Sequence, residues 1–190
     1  MIKRSLPLLI ALVSLSAICN AQSPNLLKNP NADQQTASWR VFKDATVEDS
    51  SFVVRNGGYF LQDVELPDDA VGQYAVFVGR GSTEWIDPNG TITGVPYLYG
   101  YMMVDNERIV DYLQGQNMRA HPATISEWST MWGIFQVPVG TTKIRFFLNQ
   151  GLHKDVPHNG SAARFDDLGL YLFATHKEAR DFATQYGIPR

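Results

Sequence analysis

The feature that most constrains the fold is a series of short strand-like segments separated by turn residues, with no convincing helix between any two of them. The segments alternate apolar and polar residues or are rich in β-branched and aromatic residues, which is typical of β-strands. Strands joined without helices pair in antiparallel fashion, so the sequence predicts an all-β chain folded as an antiparallel β-sandwich or jelly roll. The predicted strands are 39–42, 51–55, 59–66, 74–78, 97–104, 108–113, 131–137, 143–148 and 163–173.

The C-terminal segment has a different pattern. Thr175 and Glu178 have the spacing of a capping box, in which each side chain accepts a hydrogen bond from the backbone of the other residue. Phe182 and Tyr186 then follow at helical spacing. The sequence therefore predicts a short amphipathic helix within a tail, 175–190, that packs on the sandwich.

The N-terminus has the pattern of a signal peptide. Lys3 and Arg4 precede an apolar run, 6–18, that is too short to span a bilayer comfortably. Small residues place the predicted cleavage after Ala21, so residues 1–21 are predicted to be removed and the mature protein to be secreted or periplasmic. Lipidation at Cys19 is the alternative interpretation.

The sandwich domain is predicted to span 22–174, with no transmembrane segment in the mature chain. Its composition limits the classes of function. Hydrophobic residues make up 44% of the chain and aromatic residues 12%, which is enough for a core. The formal net charge is −3 without a basic cluster, so nucleic acid is excluded as the main partner.

Two motifs at opposite ends of the chain suggest a family. Asn25-Leu26-Leu27-Lys28-Asn29-Pro30 is followed by Asp33 and Trp39, and the segment 163–172 reads Ala-Arg-Phe-Asp-Asp-Leu-Gly-Leu-Tyr-Leu. Together they resemble the galactose-binding-like jelly-roll superfamily, which includes bacterial carbohydrate-binding modules of the cellulose-binding type and, more distantly, F-box-associated sugar-binding domains. Segments 59–66 and 140–148 resemble two of its inner strands. The resemblance implies a β-sandwich that binds carbohydrate, with Trp39 in the core.

The same resemblance implies a structural calcium ion where the first and last strands meet. Asp33 matches the acidic position of the opening motif and Asp166 the closing one. Carboxylates and backbone carbonyls are the ligands that calcium prefers. Regular alternation would put Asp166 on the same face as Leu168 and Leu170. The alternative is that Asp33 caps a turn and Asp166 accepts backbone hydrogen bonds. No organic cofactor is expected.

Exposed aromatic residues are the candidates for a sugar site, because sugar rings stack their C–H faces on Tyr and Trp. The alternative for each ring is a place in the core. Tyr97, Tyr99 and Tyr101 form a tyrosine stripe on one predicted strand. The other candidate ligand-binding residues are Trp85, Trp128, Asp87, Asn149 and Gln150.

The chain lacks the usual catalytic motifs, including a Gly-x-Ser-x-Gly elbow, a His-Glu-x-x-His metal motif and a phosphate loop. Its predicted function is therefore an exported, non-catalytic carbohydrate-binding module, with no catalytic residues assigned. The alternative is a surface or periplasmic protein-interaction module on the same fold, and the third hypothesis is a polysaccharide-acting enzyme.

Overall fold

A computed structural model describes residues 23–84, 95–104, 107–114, 128–151 and 162–186, with the backbone alone for 84, 95 and 107–114. These residues form ten strands in two five-stranded sheets and one helix near the C-terminus. Every neighbouring pair of strands is antiparallel. The predicted all-β sandwich with a short C-terminal helix is confirmed.

The first sheet has the strand order β1-β4-β9-β6-β7. Its strands are β1 Arg40–Phe42, β4 Tyr59–Glu65, β9 Lys143–Gly151, β6 Val95–Val104 and β7 Glu107–Gln114. The second sheet has the order β2-β3-β10-β5-β8. Its strands are β2 Ala45–Glu48, β3 Ser51–Arg55, β10 Ala162–Phe173, β5 Tyr74–Glu84 and β8 Ser129–Gln136.

The hydrophobic core lies between the two sheets and takes residues from both. The first sheet contributes Phe60 and Phe146, and the second contributes Phe52 and Phe77; none of these four side chains is measurably exposed. Trp39 fills the space between the sheets, with its ring centroid 5.0 Å from that of Phe52 and 6.4 Å from that of Phe60. The prediction that Trp39 belongs to the core is confirmed.

The opening and closing motifs lie side by side, as predicted. The backbone N–H of Leu26 donates to the carbonyl of Leu170 at 2.8 Å. The Asn25 side chain donates to the carbonyl of Leu168 and accepts from the N–H of Leu170, both at 3.0 Å. The amide of Asn25 therefore pairs with β10 as a backbone peptide group would, which explains why an Asn is useful at this position.

A second side-chain amide holds the opening segment to the first sheet. Gln62, on β4, is only 5% exposed. Its Oε1 accepts from the N–H of Lys28 at 2.8 Å, and its Nε2 donates to the Lys28 carbonyl at 2.9 Å. Asn25 and Gln62 together hold the opening segment, 25–30, against both sheets.

Helix α1, His176–Gln185, packs on the outer surface of the second sheet, which we call the helix face. The predicted capping box is present, because the Thr175 side chain accepts from the Glu178 N–H and Glu178 accepts from the Thr175 N–H. Ala179, Phe182 and Ala183 are buried against the sheet, and the Phe182 ring lies 4.5 Å from that of Tyr171. No helix of the described residues is long and apolar enough to cross a membrane.

Strand β5 runs six residues beyond the predicted 74–78, and this extension contains two glycines that neighbouring side chains approach closely. A Cβ at Gly79 would lie 2.8 Å from Cδ2 of Leu168, and one at Gly81 would lie 2.7 Å from Cε of Met131. Glycines lower strand propensity, so the local pattern hid this extension. The edge strand β2 was also not predicted.

Candidate functional site

The outer surface of the first sheet carries the tyrosine stripe, and we call it the tyrosine face. Side chains alternate along β6, so Leu98 and Met102 point into the core while Tyr97, Tyr99 and Tyr101 point outward. All three tyrosines are half-buried. The expected stripe of tyrosines on one face of this strand is therefore present.

Antiparallel pairing brings side chains from β9 and β4 beside the tyrosines. Phe147 is opposite Tyr99, and Asn149 lies between Tyr97 and Tyr59 in the same cross-strand row. Directly opposed residues on one face have Cβ atoms roughly 4.5–5.5 Å apart, so these side chains are in reach of one another. The face is a continuous patch of rings across β4, β9 and β6.

Phe147 is the centre of this patch. It points outward but is only 8% exposed because tyrosine rings surround it. The Tyr99 ring stacks on it at 4.5 Å with an angle of 2° between the planes. The Tyr101 ring stands at 80° to the Phe147 ring, with the two ring centroids 5.3 Å apart. The centroid of the Tyr59 ring lies 5.9 Å from that of Phe147. Each ring of the Tyr99–Phe147 stack thus has one face covered by the other.

Burial changes the acidity of these tyrosines. It raises the pKa of Tyr99 to about 12, although a hydrogen bond from the Asn149 side chain partly offsets this effect. Burial also raises the pKa of Tyr97, and its neighbour Tyr101 adds to the effect. Both hydroxyl groups are therefore neutral at physiological pH and can donate hydrogen bonds to a ligand. Asn149, one of the candidate polar residues, lies opposite Tyr97 on this face.

A charged cluster borders the rings. Arg145 on β9 donates to Asp63 on β4 through two hydrogen bonds, Nε to Oδ1 at 2.7 Å and Nη2 to Oδ2 at 3.0 Å. Arg40 of β1 donates to the same carboxylate at 2.7 Å. Burial opposes ionisation of Asp63, but the hydrogen bonds and charge of Arg145, together with the charge of Arg40, lower its pKa overall. The carboxylate is therefore ionised and held by two guanidinium groups.

Two other predicted ligand-binding residues lie away from the tyrosine face. Gln150 follows Asn149 on β9 and so points to the opposite side of the sheet, where it is only 4% exposed. Trp128 lies next to β8 in the second sheet, with the Arg80 guanidinium carbon 5.5 Å from its ring centroid. The sandwich separates Trp128 from the tyrosines because β6 and β8 belong to different sheets. Trp85 and Asp87 lie outside the described residues, as does the signal segment 1–21.

The predicted calcium ligands require one correction. Asp166 does not share a face with Leu168 and Leu170, because β10 has a bulge between Asp166 and Gly169 that shifts the alternation. Asp167 takes a positive φ of 49° in this bulge. Asp166 consequently lies on the outer side of the sheet opposite Arg80, while Leu168 faces the core.

The residues fit a calcium ion in part. Burial raises the pKa of Asp166, and the negative charges of Asp167 and Asp33 raise it further. Asp167 is paired with Arg80 at 3.3 Å. Within the described part of the chain, no group of three or more His, Cys, Asp or Glu side chains could hold a metal ion. Backbone carbonyls would have to supply most of the ligands.

Sequence reasoning did not identify several members of the face. Phe147 and Tyr59 belong to predicted strands, but only the pairing of those strands shows that they adjoin the tyrosines. The same holds for the cluster of Arg40, Asp63 and Arg145, whose members are far apart in sequence. Alternation along β9 separates Arg145, Phe147 and Asn149 from the core residues between them, and this signal could have marked them as one outward row.

No protein-family model and no curated protein matches the sequence. Solved structures do match. The enzymatically active domain of tailspike protein 4 from bacteriophage CBA120 is 13% identical with a TM-score of 0.56, covering 78% of this chain but only 21% of the tailspike chain. The CBM22-2 xylan-binding domain of Paenibacillus barcinonensis Xyn10C is 14% identical with a TM-score of 0.50, covering 78% of this chain and 99% of that domain.

The fold is that of a carbohydrate-binding-module-like β-sandwich. TmCBM61, solved in complex with beta-1,4-galactotriose, also matches, at 20% identity and a TM-score of 0.45, over 80% of this chain and 99% of that module. The two antiparallel sheets and the match to the CBM22-2 domain confirm the sandwich fold that the opening and closing motifs suggested. At such low sequence identity the structural matches establish the fold only. The ligand has to be inferred from the chemistry of the tyrosine face.

Proposed function

We propose that this protein binds carbohydrate through the tyrosine face and performs no chemistry on it. The observation that carries the proposal is the patch of aromatic rings across β4, β9 and β6, with the Asn149 amide between Tyr97 and Tyr59. Sugars combine apolar C–H faces with hydroxyl groups, so a site for them needs rings and a few directed polar groups. Tyr97 and Tyr101 flank the central stack, and Asn149 supplies the amide.

The rings of the patch differ in their expected roles. Tyr99 is engaged with Phe147 in a parallel stack, so its main role is to support the surface. Tyr97 is tilted by 34° to Tyr99, and Tyr101 by 79°. We expect Tyr97 and Tyr101 to contact the ligand, because neither is part of the parallel pair with Phe147.

Two alternatives compete with this function. A protein partner could dock on the same rings. In that case soluble sugars should not compete with the partner for binding. For a glycosidase, two carboxyl groups of different acidity are needed. The two described carboxylates of the tyrosine face, Asp63 and Glu65, are both paired with basic residues. This favours binding over catalysis, although the tailspike neighbour is an enzyme.

The test is binding of the purified protein to soluble galactan, xylan and β-glucan, measured by affinity gel electrophoresis and calorimetry. One stacking ring contributes about 1–3 kcal/mol, and about 1.4 kcal/mol corresponds to a tenfold change in affinity. Tyr97→Ala and Tyr101→Ala should each weaken binding about tenfold or more while the fold is retained.

Tyr186→Ala is the matched control, because Tyr186 is a partly exposed tyrosine beside helix α1 on the other side of the sandwich. It should leave binding unchanged. If Tyr97→Ala and Tyr101→Ala bind as tightly as the unchanged protein, the tyrosine face is not the sugar site. Failure of every polysaccharide to bind would favour the protein-interaction alternative.

Export and calcium remain part of this proposal. The signal segment supports a secreted or periplasmic protein. Asp33 and Asp166 support a calcium site that would stabilise the junction of the opening segment with β10. A bound calcium ion would neutralise repulsion among these carboxylates and would take no part in recognition of the sugar.

A further inference from the structure

The tyrosine face carries an excess of positive charge on a protein that is negative overall. Its described charged side chains are three cations and two carboxylates: Arg40, Lys143, Arg145, Asp63 and Glu65. The described side chains of the face therefore sum to a net charge of +1, whereas the whole chain has a formal charge of −3. A net positive site on an acidic protein points to a negatively charged ligand.

The excess charge is concentrated in one cluster. Lys143 and Glu65 form a pair at 3.2 Å and cancel. Asp63, in contrast, is shared by Arg145 and Arg40, so one carboxylate faces two guanidinium groups. Arg145 reaches it with Nε and one Nη, and Arg40 with a single Nη. The Arg40 side chain is 54% exposed, which leaves part of its donor fork directed to solvent.

This cluster adjoins the rings that the proposed function assigns to the ligand. Arg145 is directly opposite Tyr101 in the pairing of β9 with β6. Arg40 lies at the β1 end of the row that contains Phe147 and Tyr99. A sugar ring on Tyr101 would therefore have the Arg145 guanidinium group beside it. Arg40 lies three strands from Tyr101 on the same surface, where the next sugar residues of an extended polymer would meet it.

We infer that the tyrosine face selects acidic polysaccharides, whose sugar rings carry carboxylate groups, over their neutral counterparts. The inference rests on the proposed function, since it names the class of carbohydrate for the same site. A guanidinium group is planar and offers paired N–H donors, which match the two oxygens of a carboxylate. Asp63 holds Arg145 in place, and the more exposed Arg40 provides the contact to the uronate.

The test uses four acidic polymers, each beside its carboxyl-reduced form: polygalacturonate, alginate, glucuronoxylan and hyaluronate. Reduction converts the carboxylate to a hydroxymethyl group and keeps the backbone, so each pair isolates the charge. At least one acidic form should bind at least about fivefold more tightly than its reduced partner, and the difference should shrink as salt screens the charges.

Arg40→Gln should remove most of that difference and change binding of the reduced form less than about twofold. The matched control is Arg180→Gln, which removes the same charge from the exposed surface of α1 and should alter neither affinity. Thermal melts would show that both variants are folded. If Arg40→Gln does not fold, the salt dependence of the unchanged protein decides.

Equal binding of acidic and reduced forms would overturn this inference and leave the proposed function intact. Dextran sulfate that binds as tightly as the best uronate polymer would also overturn it, because the face would then act as an unselective ion exchanger. Binding to none of the eight polymers, nor to the neutral panel above, would overturn both.

Discussion

Helix α1 covers part of the outer surface of the second sheet, whereas the outer surface of the first sheet leaves its three tyrosines half-exposed. Both surfaces are rich in aromatic residues. On the helix face Val76, Val78 and Tyr171 are buried, because Phe182 and its neighbours fill the space above them. On the tyrosine face the rings pack on one another instead, around Phe147.

The comparison shows that aromatic content alone does not mark a binding surface. The rings of the helix face are part of a second small core, and their replacement should cost stability. The rings of the tyrosine face keep contact with solvent, and their replacement should cost affinity. A carboxylate shared by two guanidinium groups occurs on both sheets, since Glu48 of the second sheet is paired with Arg55 and Arg164. Only the cluster on Asp63 adjoins the tyrosines.

The largest expected effect comes from opening the helix face. Phe182→Ala should lower the free energy of unfolding by about 3–5 kcal/mol, because a buried ring is removed and leaves a cavity. Urea denaturation would measure the loss. Tyr101→Ala on the tyrosine face should cost only about 1 kcal/mol or less, as is usual for a partly exposed residue. Similar losses for the two variants would break the comparison.

A smaller effect is expected at the start of the helix. The Thr175 side chain accepts a hydrogen bond from the Glu178 N–H at 3.2 Å. Thr175→Ala should therefore lower stability by about 1 kcal/mol, and Thr175→Ser, which keeps the hydroxyl group, should restore most of it. Sugar binding should be unaffected in both variants. If Thr175→Ala weakened sugar binding, the two faces would be coupled, which their separation by the core argues against.

The smallest effect is expected at the bulge of β10. Burial, then the charges of Asp167 and Asp33, raise the pKa of Asp166, so its charged form destabilises the folded state. In the presence of a chelator at neutral pH, Asp166→Asn should raise stability by less than about 1 kcal/mol, given its partial exposure. This gain should fade as the pH falls towards the ordinary value of 3.8, where the carboxyl group is neutralised.

Calcium should reverse the order of stability of the unchanged protein and the Asp166→Asn variant. If the proposed site binds the ion only in the folded state, excess calcium should raise the melting temperature of the unchanged protein. Asp166→Asn should show no such rise. Identical melts of the unchanged protein with calcium and with chelator would remove the calcium proposal, and Asp166 would then be a bulge residue only.

The sequence predicted the class of fold well because alternation and turn residues are local signals. The segment 51–55 was assigned its observed limits, and Thr175 and Glu178 marked the start of α1. Prediction from the sequence was wrong where the alternation of apolar and polar residues was weak or interrupted. Gly79 and Gly81 lowered the strand signal in the second half of β5, and the bulge between Asp166 and Gly169 put Asp166 on the face opposite to Leu168.

For the binding surface, the sequence by itself determined the tyrosine stripe, since alternation within one strand is written in consecutive residues. It also offered Asn149 and Gln150 as candidate polar residues, without deciding between them. Only the tertiary structure decided that Gln150 faces the core, that Trp128 belongs to the other sheet, and that Phe147 joins the stripe. The physical reason is that strand order and register depend on contacts between residues distant in the chain. The pairing of Arg40, Asp63 and Arg145, which gives the face its charge, exists only once β1, β4 and β9 lie side by side.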